Sequence, residues 1–291
     1  MPRYVGSLGR GGPPGGVGLR AGGEAQGAGG VRREMAARPK LLLVWDFDRS
    51  FLQEDCEWST FAHFGIDDRA SQLAGGAFKG RWPACTDLLF DEISKRPVTR
   101  EQLCEIVGSL EPWPAMRQVA EAVGAAAAQG LAVEQRVLSD ANTELIEIVL
   151  ARQGLREAFS TVLSNPARWE GDRLRVEPYL AQGVAAQLAP ASSGGPRTRY
   201  CPPNLCKGAV LRRWLQELAP ERCVYVGDGR GDYGAAVQLR EGDQLWARQD
   251  FPLHELLSVN PRDHCIFGLY CKDRSSDRSG RGVRRRRGKW R

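Results

Sequence analysis

The chain has 291 residues, 42% of them hydrophobic and 26% charged, with a formal net charge of +6. That is ordinary globular composition, with room for one large domain and a smaller appendage. The longest strongly apolar run, Leu41–Trp45, is far short of the ~20 residues a membrane span needs. There is no apolar signal-peptide core, no collagen-like glycine period, and no wholesale disorder.

The charge is unevenly placed. Residues 272–291 contribute +8 and residues 1–38 contribute +4, which leaves −6 for residues 39–271. Nucleic-acid binding needs basic charge on a folded face, so the acidic core argues against it; only Arg284–Arg287, with Trp290, could grip phosphates. Eight cysteines without a signal peptide read as reduced intracellular thiols. Cys201 and Cys206 have a zinc-compatible spacing, but no second Cys/His pair is close in sequence.

In chain order, residues 1–38 read as a disordered Gly/Arg-rich leader. Their composition also suits an organellar address in a chain otherwise expected in the cytoplasm. Lys40–Trp45 reads as a strand buried on both faces and running into Asp46-Phe-Asp48. Residues 57–130 turn helical, with a capped start at Thr99 and an alanine-rich helix over Met116–Gln129 closed by Gly130. Gln135–Ser139 is a short strand, Thr143–Gln153 a helix, Phe159–Leu163 a strand, and Trp169–Val176 a hairpin turned at Gly171. Ala191–Arg197 reads as a loop and Lys207–Ala219 as a helix. Cys223–Val226 is a strand ending in Gly227-Asp-Gly-Arg-Gly-Asp232. Alternating strands and helices predict an α/β fold with a Rossmann-like parallel sheet. The core is expected over 39–56 and 131–262, an inserted helical cap over 57–130, and a basic disordered tail over 263–291.

In such sheets ligands bind beyond the carboxyl ends of the strands. Three strands here deliver Asp46 with Asp48, Ser139 with Asp140, and Asp228 with Asp232; Lys207 opens a nearby helix. Carboxylates converging at one sheet edge repel unless a divalent cation neutralises them, and oxygen-only ligands suit Mg²⁺. A hydroxyl and an ammonium beside that metal make a place for a phosphoryl group. Asp46, Asp48, Ser50 and Glu57 also fit an EF-hand spacing, but Phe51 stands where that loop needs glycine.

The motifs VWDFDRS, VLSDAN, NLCKG and VYVGDGRGD, in this order, resemble the haloacid-dehalogenase (HAD) superfamily of aspartyl-phosphate-forming phosphatases. DFDRSF, LSDANTELIE, CPPNLCKG and GDGRGDY are similar to its phosphoethanolamine/phosphocholine phosphatase branch. That branch includes pyridoxal-phosphate phosphatases and the plant pyrophosphatase and thiamine-monophosphate phosphatase members. The resemblance spans roughly residues 39–260 and implies a helical C1-type cap. It implies Asp46 as nucleophile and Asp48 as acid and base. Ser50, Ser139 and Lys207 would hold the phosphoryl group. Mg²⁺ would be bound by Asp46, Asp48 through its backbone carbonyl, Asp228 and Asp232.

For the leaving group, Glu57 and Asp140 match positions that resemble the family's substrate contacts. Two added acids favour a cationic head, to which Trp58 would offer a ring face. The expected partner is therefore a small phosphorylated metabolite: thiamine monophosphate, phosphocholine or phosphoethanolamine. Pyrophosphate or pyridoxal phosphate on the same site, transfer to an organic acceptor, and RNA or acidic-partner binding through the tail are the alternatives.

Overall fold

The computed structural model describes residues 39–179, 202, 204–259 and the backbone of 267–270, all within one compact unit over residues 37–291. A six-stranded sheet runs through it. Its strands are β1 (Leu41–Trp45), β2 (Val133–Asn142), β3 (Thr161–Asn165), β6 (Arg222–Gly227), β7 (Gln244–Arg248) and β8 (Phe267–Tyr270), ordered β3-β2-β1-β6-β7-β8 and parallel throughout. β4 (Ala167–Glu170) and β5 (Arg173–Val176) form a separate hairpin about Gly171, whose φ of +62° suits glycine.

β1 is apolar throughout because both its faces are covered. Leu43 and Trp45 enter one core cluster, Leu42 and Val44 the other. Helices α1 (Cys56–His63), α2 (Asp67–Gly75), α3 (Trp82–Ser94), α4 (Arg100–Gly108) and α5 (Pro114–Ala128) lie between β1 and β2 in the chain. With α6 (Thr143–Arg152) they supply the first cluster through residues such as Phe61, Phe90, Val107 and Ile146. Helices α7 (Lys207–Leu218), α8 (Asp232–Ala236) and α9 (Pro252–Val259) supply the second, through Val210, Tyr233 and Leu253. Thr99 makes the expected capping box, accepting from the Gln102 N–H while Gln102 accepts from its own. The hairpin is tied to α3 by charge, with Arg173 to Asp91 at 2.8 Å and Arg175 to Asp87 at 3.0 Å.

Two expectations are corrected. β8 falls inside the stretch expected to be a disordered tail; four residues next to a charged segment carry too little periodicity to reveal a strand that only pairing with β7 creates. Cys206 is disulfide-bonded, while Cys56, Cys85, Cys104 and Cys223 are free thiols. Composition reports on compartment, not on which sulfurs approach, and a sulfur in a disulfide has no thiolate for zinc. The leader, the Ala191–Arg197 loop, Cys201 and residues 271–291 lie outside the described residues. Among the described residues no helix is long and apolar enough to cross a membrane.

α7 and α8 meet closely at Gly208. A Cβ there would stand 2.7 Å from the Gly234 carbonyl carbon, and backbone cannot yield as a side chain can. Gly208→Ala is expected to cost roughly 1–3 kcal/mol in urea unfolding; a loss too small to measure would show that the helices separate freely.

Candidate active site

The parallel register puts Trp45 beside Val226, so β1 and β6 end together. Asp46 is the first residue beyond β1, and its N–H donates to the Val226 carbonyl at 2.9 Å. A tight turn over Phe47–Phe51 follows. It is closed by Phe51 N–H to Asp46 O (3.2 Å) and Leu52 N–H to Phe47 O (2.9 Å), with Arg49 at φ +58°. Phe51 pins it from below, stacked on Phe47 at 5.8 Å and edge-on to Trp45 at 5.3 Å. The turn returns Asp48 to the same edge, where its Oδ1 accepts the Cys56 N–H at the start of α1 (2.8 Å).

Lys207 is the hub of the charge cluster. Its buried Nζ donates to Asp46 Oδ1 at 2.6 Å and Asp232 Oδ1 at 2.8 Å, with Asp140 at 3.8 Å. Burial alone pulls its ammonium down; the Asp232 and Asp46 carboxylates more than offset this and hold it well above the usual lysine range. Asp232 is held on all sides. Its Oδ1 also accepts from Tyr225 OH (2.7 Å), and its Oδ2 from the N–H groups of Asp228 (3.1 Å) and Gly229 (2.8 Å). Four donors occupy the four lone-pair positions of a carboxylate, so Asp232 serves to orient the loop and the lysine. Gly227 allows this fold-back, since a Cβ there would lie 2.7 Å from Asp232 Cγ.

Burial and the repulsion of Asp232 push Asp46 well above the usual carboxylate range and Asp228 up to about 6. Burial and the neighbouring Asp55 carboxylate also raise Asp48 well above that range. Oxygens of Asp46, Asp228 and Asp232 lie within 4.8 Å of one another. Buried, all-oxygen and over-supplied with negative charge, Asp46 and Asp228 fit a hard divalent cation such as Mg²⁺, with Asp232, its lone pairs engaged, supporting them from behind.

A pH dependence follows. Asp228 binds its proton more tightly folded (about 6) than unfolded (about 4). Its contribution therefore favours the metal-free fold at low pH and is lost as pH rises through about 6. A bound cation takes the proton's place, so added Mg²⁺ is expected to raise Tm more at pH 7.5 than at pH 5. Equal increments at the two pH values would contradict this.

The cluster forms the floor of a cavity of about 290 Å³. Asp48, Asp55, Glu57, Trp58, Trp82 and Asp140 line its walls, with Arg49 and Arg230. The structure thus brings Asp46, Asp48, Asp140, Lys207, Asp228, Asp232 and Glu57 together around one space. Ser50 and Ser139 are fully buried beside it and face other partners. The Ser50 hydroxyl lies 3.0 Å from Asp46 Oδ2 and 3.2 Å from Asp228 Oδ1, and Ser139 Oγ accepts the Ala141 N–H at 3.2 Å. Glu57 has both oxygens engaged, Oε1 accepting from Asn142 Nδ2 (2.8 Å) and Oε2 from Trp82 Nε1 (2.5 Å). Burial pushes it up to about 8. It therefore holds Trp82, which stacks on Trp58 with centroids 5.2 Å apart and planes 16° from parallel.

Trp82, Asn142, Tyr225 and Asn165 were not singled out by the sequence. Asn165 donates to the carbonyls of Asp140 (2.6 Å) and Ala141 (2.8 Å) and accepts from Asn204 (2.7 Å), which fixes the end of β2 against the segment before Lys207. Asp55 was available as an N-cap, its Oδ1 accepting the Trp58 N–H at 3.0 Å.

A family model described as "Putative Phosphatase" matches residues 41–266. Inorganic pyrophosphatase 2 of Arabidopsis thaliana is 31% identical over 78% of this chain and 77% of its own length. The human phosphoethanolamine/phosphocholine phosphatase is 28% identical over 77% and 80%. Among solved structures, a HAD-family hydrolase of Salmonella enterica serovar Typhi superposes with a TM-score of 0.51 at 12% identity, over 79% of this chain and 68% of that one.

Proposed function

Because the chain belongs to this phosphatase family of the HAD superfamily, we propose that it is a Mg²⁺-dependent phosphomonoester hydrolase whose phosphoryl group passes through Asp46. The observation that carries the reading is Lys207, buried between Asp46 and Asp232 beside Asp228. An Asp46 carboxylate oxygen attacks phosphorus, and the bond from phosphorus to the ester oxygen breaks. Asp48, whose proton affinity burial raises, gives a proton to the departing oxygen. Asp48, now a carboxylate, takes a proton from water as that water attacks the aspartyl phosphate, which releases phosphate and restores Asp46. Lys207 stabilises the charge on the phosphoryl oxygens. Mg²⁺, held by Asp46, Asp228 and the Asp48 carbonyl, would neutralise phosphate charge.

The walls support a small cationic leaving group. Asp140, whose side chain is 66% exposed, and Asp55 supply negative charge, and the Trp58–Trp82 pair offers aromatic faces. Glu57 acts here chiefly by fixing those rings. The test is phosphate release from phosphocholine, phosphoethanolamine, thiamine monophosphate, pyridoxal phosphate and pyrophosphate, with Mg²⁺ and with EDTA. Mg²⁺-dependent turnover favouring a cationic monoester is expected. Preference for pyrophosphate would overturn the role given to the acidic wall, and activity undiminished by EDTA would overturn the metal assignment.

A further inference from the structure

Of the two acids given roles in the chemistry, Asp46 is held by Lys207 and Ser50, but Asp48 stands outside that network. Among the described residues, the hydrogen bonds to the Asp48 carboxyl come from Cys56, eight positions on and the first residue of α1. Oδ1 accepts the Cys56 N–H at 2.8 Å, and the Cys56 thiol shares a hydrogen bond with the same carboxyl.

The donor is itself firmly built in. Its side chain is fully buried in the cluster that holds Trp45, Phe51 and Phe61. Asp55 precedes it in extended conformation (φ −100°, ψ 122°) and caps α1. The Cys56 carbonyl accepts the Thr60 hydroxyl at 2.7 Å. An N–H in the first turn of a helix has no partner within that helix, so Cys56 gives its own to a carboxyl without opening α1.

We propose that Cys56 is the positioning residue of Asp48, its N–H and thiol holding the carboxyl in the pose from which it protonates the departing alcohol. The inference rests on the hydrolase reading and adds to it the group that aims the acid. A carboxylic acid carries its proton on one oxygen, and a donor at Oδ1 makes that oxygen the acceptor, which leaves the proton to Oδ2. Released from Cys56, the carboxyl would turn about its side-chain torsions, and a misplacement of about 1 Å can cost roughly 10²-fold in rate. The thiol does not itself serve as a nucleophile. Burial and the Asp48, Glu57 and Asp55 carboxylates raise it well above the usual thiol range.

The test compares an ester whose alcohol needs a proton to depart with one whose alcohol does not. Phosphoethanolamine would release an alkoxide unless protonated, whereas p-nitrophenyl phosphate releases a stabilised phenolate. The readout is the ratio of their kcat/KM values, which covers the steps up to departure of the alcohol. Loss of fold or of metal lowers both together and leaves the ratio alone. Cys56→Pro removes both donors at a position that suits proline, the first of a helix after an extended residue. It is expected to lower the ratio roughly tenfold, through phosphoethanolamine. Cys56→Ala, which removes only the thiol, is expected to lower it about threefold, and Cys56→Ser to restore it. Cys85→Ala, as deeply buried in the same cluster but on α3, controls for packing and should keep the parental ratio. A parental ratio in folded Cys56→Pro would overturn the role; should that variant not fold, a parental ratio in Cys56→Ala would do so. A parent protein that hydrolyses neither ester with Mg²⁺ present would remove the hydrolase reading, and the role of Cys56 with it.

Discussion

Asp46→Asn is expected to lower phosphate release by roughly 10⁴-fold or more, the scale on which removal of a covalent nucleophile acts, while the protein stays folded. The amide keeps an oxygen to accept from Lys207, and its size matches the carboxylate. It also removes one of the buried acids that Asp232 repels, so the metal-free variant should melt no lower than the parent at neutral pH. The two readouts together make the result specific. Lost activity with retained Tm assigns chemistry to Asp46, whereas lost activity with a fallen Tm would assign it a structural role. A variant that kept full activity would end the aspartyl-phosphate reading.

Lys207→Met is expected to damage both stability and rate. The side chain lies at 4% exposure between two carboxylates, so its removal leaves buried negative charge uncompensated. Loss of one partner from a buried pair typically costs about 3–5 kcal/mol, read here by denaturant unfolding at pH 7.5 with EDTA. The cost should shrink at pH 5, where a proton neutralises Asp228, and shrink at pH 7.5 with Mg²⁺, where the cation supplies the counter-charge. Turnover should fall roughly 10²–10³-fold even with Mg²⁺ saturating, as for other charge-stabilising donors. Stability indifferent to pH and Mg²⁺ would show that the lysine is not the counter-charge of the cluster.

What was legible in the sequence was whatever is local. Asp46 and Asp48 follow a five-residue apolar run, and Asp228 and Asp232 bracket a glycine-rich turn, so strand, turn and acid can be read within a few residues. Lys207 was legible through its motif and its place at a helix start. Trp82, by contrast, owes its role to Glu57, 25 positions earlier, and Asn142 meets the same carboxylate from 85 positions away. No periodicity encodes such pairs. Ser50 and Ser139 were legible from their motifs, whereas the neighbouring acid and backbone N–H that their hydroxyls meet become apparent only in the folded chain. The sixth strand and the Cys206 disulfide escaped for a related reason, since each depends on a partner that the local sequence does not name.

The ion pairs from the β4–β5 hairpin to α3 bear on more than packing. α3 begins with Trp82, so the same helix that Arg173 and Arg175 grip through Asp91 and Asp87 carries one ring of the cavity wall at its other end. In the proposed function, the residues assigned to the chemistry are fixed by the sheet, and the ring assigned to the leaving group is fixed by a separate mooring, the hairpin's ion pairs to α3. Substrate preference and reaction chemistry are therefore separable in this architecture. Substitutions along the hairpin are expected to re-aim the wall while the carboxylates and the lysine stay in place.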